Sequence, residues 1–262
     1  MSVRLIVRIL SEICVTIGAV IVLFAAYTLF WTGVVAEDAA DGAVVRLRQE
    51  WARLPAATRP GAPAAPSVPA APSVPSVPSV PSAVPPPPVP SVPAVPDHPP
   101  RTGKPYESGR PFAIMYIPRF GADWAWPVLE GTDPGTLRKG LGHYAGTARL
   151  GATGNFSVAG HRRTHGDPFR DFPRLRPGDA VVLGDGTTWF TYRIRNEPYR
   201  TVPGDVGVVD AVPVKSGFGG PGRYLTLTTC DPEWGSSHRL VVWARLDAEQ
   251  PVTRGEPAAF HS

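Results

Sequence analysis

The sequence predicts an all-β domain, a mostly antiparallel barrel, carried behind a membrane-spanning helix and a proline-rich spacer. Three observations lead there. First, 33 prolines and 27 glycines in 262 residues are too many for one uniformly packed globule, so the chain must be read in segments. Second, from about Gly103 onward the chain is a succession of short β-branched or aromatic runs, separated by intervals rich in Gly, Pro, Asp and Asn. Third, helix-forming stretches are scarce in that part, as an antiparallel barrel requires.

The elements follow in order. Residues 1–12 form a short N-terminus with Arg4 and Arg8. Residues 13–36, ICVTIGAVIVLFAAYTLFWTGVVA, carry no charge. As a helix rising 1.5 Å per residue they reach roughly 36 Å, enough to cross a hydrocarbon layer of about 30 Å. The arginines before this span and Glu37, Asp38 and Asp41 after it leave the N-terminus in the cytoplasm and the rest of the chain outside. A cleaved signal peptide is the rival reading, with Val34-Val35-Ala36 as the cleavage site, but the apolar stretch exceeds the usual 7 to 15 residue core. Cys14 stands at the start of that stretch and reads as a small apolar helix residue. Residues 37–60 are a juxtamembrane segment in which RLRQEWARL suggests a short amphipathic helix. Residues 61–102 are a linker: Pro72, Pro75, Pro78 and Pro81 recur every third residue, the turn of polyproline II, and such a stretch spaces but cannot form a core. A ligand for proline-reading domains is the alternative for it.

The domain spans residues 103–250, followed by a tail at 251–262. Strands are expected at 111–118, 123–131, 155–161, 179–185, 188–199, 223–230 and 239–247. Helical turns are expected at 134–140 and 167–175, where Asp133 and Asp167 precede a proline and can cap the first turn. Residues 103–262 hold 19 basic and 16 acidic side chains, with no basic cluster interleaved with aromatics, so nothing points to nucleic acid.

Chemistry enters with Cys230. It is the one cysteine beyond the apolar span, so no intramolecular disulfide across the membrane is available to it; it is a packed side chain or a reactive thiol. A thiol needs a partner to handle its proton, and histidine is the usual one. His161 ends the run NFSVAGH as Cys230 ends YLTLTTC, so neighbouring strands would bring both to one rim. His165, four residues on, suggests a metal pair with His161, yet no third ligand is evident, and neither metal nor cofactor is expected. Arg239 opens the last run, and a hairpin over 230–239 would return it beside the cysteine. Arginine stays protonated and can steady an oxyanion or hold a carbonyl, but cannot act as an acid or base here.

These residues resemble a family. Thr226-Leu227-Thr228-Thr229-Cys230 fits the TLxTC signature of sortases, the membrane-anchored cysteine transpeptidases of Gram-positive bacteria, with Arg239 at the expected short interval and GNFSVAGHR (154–162) similar to their histidine strand. The resemblance covers residues 110–247. LRKGLGHYAGT, GNFSVAGHR and HGDPF are most like class E sortases of actinobacteria. The resemblance implies an eight-stranded barrel, and so one more strand, within 142–147 or 200–215. It also implies that Cys230 attacks the threonine carbonyl of a C-terminal sorting signal, Arg239 steadies the oxyanion, and His161 as imidazolium protonates the leaving glycine amine. A cell-wall peptidoglycan amine then takes the acyl group. Tyr144, Thr228 and Thr229 are the expected substrate-binding residues, with Tyr144 narrowing the pocket toward a Leu-Ala-x-Thr-Gly rather than a Leu-Pro-x-Thr-Gly signal. The segment 200–222 is the expected groove wall. With ordinary pKa values near 8.5 and 6.5, thiolate and imidazolium would coexist at pH 7 in about 1 per cent of molecules.

Three rivals remain. An L,D-transpeptidase would show histidine and glycine before the cysteine, where Thr228 and Thr229 stand. A papain-like protease would carry its cysteine before its histidine, on a helix. A wall-binding barrel with a packed Cys230 would be inert to thiol reagents.

Overall fold

The computed structural model describes residues 3–27, 32–53 and 105–261. The proline-rich linker expected at 61–102 lies outside the described residues. Helix α1 (Val3–Ala26) is the one helix among them long and apolar enough to cross a membrane, with a mean hydropathy of 2.3 over its best window. It starts before the charge-free stretch because Arg8 and Glu12, one turn apart, pair at 3.1 Å and extend the helix toward the N-terminus. The stretch 13–36 expected as the span falls partly on α1 and, at residues 32–36, on a second helix, α2 (Thr32–Arg53).

Helix α2 is longer than the juxtamembrane helix expected, and it is docked. Ala40, Val44 and Leu47, at i, i+4 and i+7, form one buried stripe, with Trp51 half-buried below them. Val44 and Leu47 pack with Ile114, Tyr116 and Val182 of the barrel, and Arg48 donates to the Tyr116 hydroxyl at 3.2 Å. Burying a Val or Leu side chain contributes about 1.5 to 3 kcal/mol, so the stripe is enough to hold the helix on the sheet.

The barrel has strands β1 (Pro111–Tyr116), β2 (Ala125–Glu130), β3 (Leu141–His143), β4 (Gly154–Ala159), β5 (Ala180–Gly184), β6 (Thr188–Ile194), β7 (Tyr199–Thr201), β8 (Arg223–Asp231) and β9 (His238–Pro251). Eight of them run β6-β5-β1-β2-β3-β4-β8-β9 and close through β6–β9, while β7 adds to the near end of β9. The pairings β2–β3 and β4–β8 are parallel and the others antiparallel. The expected extra strand is β3, which opens at Leu141. The run read as one strand at 188–199 is two, because Asn196 interrupts it: its side-chain oxygen accepts the Trp243 N–H at 2.7 Å in place of a backbone carbonyl.

Inward side chains fill the barrel, among them Phe156, Phe169, Phe190, Tyr192, Leu225 and Leu227. The outward face of β8 and β9 is also covered, since Val208, Val209 and Phe218 of the segment after β7 pack on Val241 and Trp243. That second cover explains why β8 reads as a nearly continuous buried run rather than an alternating one. Asp133 caps α3 (Pro134–Leu137) as expected, accepting from Gly135 N and Thr136 N. Asp167 does not cap: it has φ +53° and pairs with Arg163 at 3.4 Å, and the helical turn nearby is a 3₁₀ turn at Phe172–Arg174.

Candidate active site

Strand register builds the site. β4 and β8 run side by side in the same direction from Gly154↔Arg223 to Ala159↔Thr228. The pairing extends past the strand end, because Gly160 N donates to Thr228 O at 3.1 Å and Thr229 Oγ1 donates to Gly160 O at 2.8 Å. His161 and Cys230 are the next residues on the two chains, so they leave the sheet together at one rim. On the other side of Cys230 the β8–β9 hairpin sets Cys230 directly opposite Arg239. All three side chains are partly buried. Arg239 Nη1 donates to Ser236 O at 2.8 Å and to His238 O at 2.9 Å, which folds the guanidinium along the hairpin.

Tyr144 follows β3 and reaches across β4, over the small Ser157 and Ala159, to Thr228 on β8; its hydroxyl is 2.9 Å from Thr228 Oγ1. Thr228 and Cys230 share the outward face of β8, about 7 Å apart along the strand at two residues' rise. Tyr144 is therefore placed one side-chain step from the thiol. Thr228 and Thr229 are buried, at 3% and 2% exposure. Thr229 points inward and its hydroxyl is engaged with Gly160, so it clamps the two strand ends rather than lining the rim. The segment expected to wall the groove lies on the outer face of β8: Trp243 Nε1 donates to Val208 O at 3.0 Å and Asn155 Nδ2 to Asp210 O at 2.9 Å.

Several neighbours escaped the sequence reading. Arg162, next to His161, donates to Asp231, next to Cys230, at 2.6 Å, and Arg200 holds the other carboxylate oxygen at 2.6 Å. Burial pushes the Asp231 carboxyl up, but hydrogen bonds from Arg200 and Arg162 outweigh it and hold the group below the usual carboxylate range. The pair thus locks the two strand ends at which His161 and Cys230 sit. A signal existed: each of the two residues is followed at once by a charge of opposite sign. Beneath the Tyr144 loop, buried His143 sits with Nδ1 2.6 Å from Glu130 Oε2 and Nε2 3.0 Å from Thr147 Oγ1.

His165, read from the sequence only as a metal partner for His161, packs beside it. Its ring stacks on His161 with centroids 4.7 Å apart and 28° between planes. His165 has φ +56°, and the loop is held at both ends, by Phe169 N to His161 O at 3.0 Å and Asp167 N to Thr164 O at 3.3 Å. Gly166 lies between them with φ +81°, where a side chain would come within 2.6 Å of Trp126 and 3.2 Å of the Glu37 backbone nitrogen on α2. Burial first, then His165 and Arg138, push the His161 pKa down to about 4. The imidazole is thus neutral at pH 7.

Comparison with known proteins assigns the fold to a family. The sortase domain family model matches residues 115–247. Sortase SrtE1 of Streptomyces coelicolor is 35% identical over 262 residues, covering 97% of this chain, and this chain spans 61% of the length of that relative. The solved sortase E of Streptomyces avermitilis is 66% identical with a TM-score of 0.57, covering 59% of this chain and 99% of that one. A sortase E1 structure from Streptomyces coelicolor is 43% identical with a TM-score of 0.55, covering 58% of this chain and 96% of that one. The chain belongs to the sortase family, and within it resembles the class E members.

Proposed function

We propose that the protein is a membrane-anchored cysteine transpeptidase that cleaves a C-terminal sorting signal between threonine and glycine and passes the acyl chain to a peptidoglycan amine. The observation that supports this reading is the β4–β8–β9 register, which puts Cys230 opposite Arg239 and His161 just past the end of the strand beside them. A peptide in the active site of the Streptomyces coelicolor sortase E1 structure fits the same use of this rim. Helix α1 is read as the anchor, with Arg4 and Arg8 inside and the barrel outside.

The depressed pKa of His161 alters the expected mechanism. At a pKa of about 4 only roughly one molecule in a thousand holds imidazolium at pH 7, against roughly a quarter at the ordinary 6.5. A resting thiolate–imidazolium pair is therefore a poor description, and neutral His161 serves as a general base. It takes the Cys230 proton as sulfur attacks the threonine carbonyl, and the oxyanion that forms beside Arg239 offsets the new imidazolium. The carbon–nitrogen bond then breaks and the same proton goes to the departing glycine amine, leaving a thioester. The acceptor amine adds to that thioester, gives a proton to His161, and the sulfur leaves and recovers it as thiol.

Tyr144, bonded to Thr228 two residues before the thiol, narrows the pocket toward alanine rather than proline at the second position of the signal. The test is release of the glycine fragment from Leu-Ala-x-Thr-Gly and Leu-Pro-x-Thr-Gly peptides by the full chain in detergent micelles. Cys230→Ala and His161→Ala should release none, and Arg239→Lys should be severely impaired, since an ammonium lacks the planar fork. Substantial turnover by the cysteine or histidine variant would overturn the mechanism.

A further inference from the structure

The first turns of α2 and the loop from His161 to Asp171 enclose a cleft of about 410 Å³. Val34 and Glu37 line it from α2, Trp124 and Trp126 from the barrel, and His165 and Asp167 from the loop. We infer that this cleft receives the second substrate, a primary amine presented at the membrane surface; the inference rests on the transpeptidase reading and on α1 as the anchor.

Three observations converge on it. The first is position. The group that must take the proton of the incoming amine is His161, and the ring stacked on it at 4.7 Å, His165, is itself a wall of the cleft. The second is chemistry. Of the lining carboxylates, Asp167 pairs with Arg163 at 3.4 Å and Asp171 with Arg174 at 3.3 Å, whereas Glu37 has no cationic partner among the described residues. An exposed carboxylate lining the cleft suits an ammonium group, which gains Coulomb attraction. Arg170, exposed at the lip, is a donor for the carbonyls of the peptide that carries the amine. The third is reach. Val34 follows Tyr27, the last described residue of the apolar segment, by seven positions, a span of at most about 25 Å of extended chain. Docking of α2 through Ala40, Val44 and Leu47 fixes the cleft at that end of the barrel, whatever length of chain lies between α2 and β1. The cleft thus lies on the part of the domain that is tethered next to the apolar segment, where a bilayer-held acceptor is presented.

The experiment uses the full chain in nanodiscs with a sorting-signal peptide as donor and two acceptors, free triglycine and triglycine dodecylamide. Release of the glycine fragment reports thioester formation; the ratio of transfer to hydrolysis against acceptor concentration gives the acceptor KM. Val34→Trp fills the cleft and Glu37→Arg reverses its charge, and both positions are exposed, so the fold tolerates the changes. Each should raise the acceptor KM about 5-fold or more and shift product toward hydrolysis, with the effect in the second half-reaction rather than in fragment release. The wild type should use the membrane-held amine at a lower bulk concentration than triglycine. Acceptor KM values within twofold of wild type in both variants would overturn the site, and equal KM values for the two acceptors would overturn its membrane supply. If the wild type releases no glycine fragment, the transpeptidase reading itself is lost.

Discussion

Lowering the pH from 7 to 5 separates two pictures of His161. At the ordinary pKa near 6.5, about 3 per cent of imidazoles stay neutral at pH 5, and cleavage that depends on a neutral base falls about 25-fold. At about 4, the value to which burial and then His165 and Arg138 push it, about 90 per cent stay neutral at pH 5 and the rate barely changes. The assay is quenched-flow release of the glycine fragment at low peptide concentration between pH 4.5 and 8, without acceptor, because an acceptor amine would add its own titration. The acidic limb of kcat/KM should lie below pH 5. Removing a charged or chargeable neighbour, by Arg138→Gln or His165→Asn, should move the limb upward only part of the way, since burial is the larger cause and stays. A wild-type limb half-fallen near pH 6.5 would refute the neutral-base assignment.

Three further outcomes are expected. The folded state disfavours protonated His161, so its contribution to stability is present above pH 6.5 and is lost as pH falls toward 4, by about 1 to 2 kcal/mol once solvent screening of the partly buried ring is allowed for. Urea melts at pH 7 and 4.5 should therefore show a smaller loss for His161→Gln than for wild type, and equal losses would remove the linkage. Tyr144→Ala should narrow the preference for the alanine signal by about 1 to 3 kcal/mol, roughly 5-fold to 150-fold in the ratio of specificity constants; a ratio within twofold of wild type would leave Tyr144 a packing residue. Leu47→Ala, at 6% exposure on the docked face of α2, should cost about 2 kcal/mol and lower the melting temperature of the full chain, and an unchanged melt would mean that the helix does not hold the barrel in solution.

The residues of the site were legible for a local reason. His161, Cys230 and Arg239 each stand at the end of a β-branched run, and a strand end is visible in a few residues' pattern of alternation and turn chemistry. The hairpin that returns Arg239 to Cys230 was legible too, because only eight residues separate the partners. Docking of α2 had a readable sign in the spacing of Ala40, Val44 and Leu47, but the partner surface was not readable, since Ile114 and Val182 lie far along the chain.

Tertiary structure decided what depends on residues distant in sequence. The parallel pairing of β4 with β8 joins positions about seventy residues apart, and parallel neighbours leave no turn between them to announce the contact. Asp167 shows a local rule overridden: an Asp before a proline reads as a helix cap, yet the loop adopts positive φ instead, with Gly166 pressed against Trp126 and Glu37. The basicity of His161 belongs to the same class. The identity of the histidine and its place at a strand end are read from its neighbours in the chain. Its charge at neutral pH follows from how much water the folded loop removes and which rings and guanidiniums it brings near. The sequence by itself therefore named the candidate groups, because residue type and local pattern are properties of residues in order; the fold decided their surroundings and their charge, because desolvation and long-range packing exist only once distant segments have met.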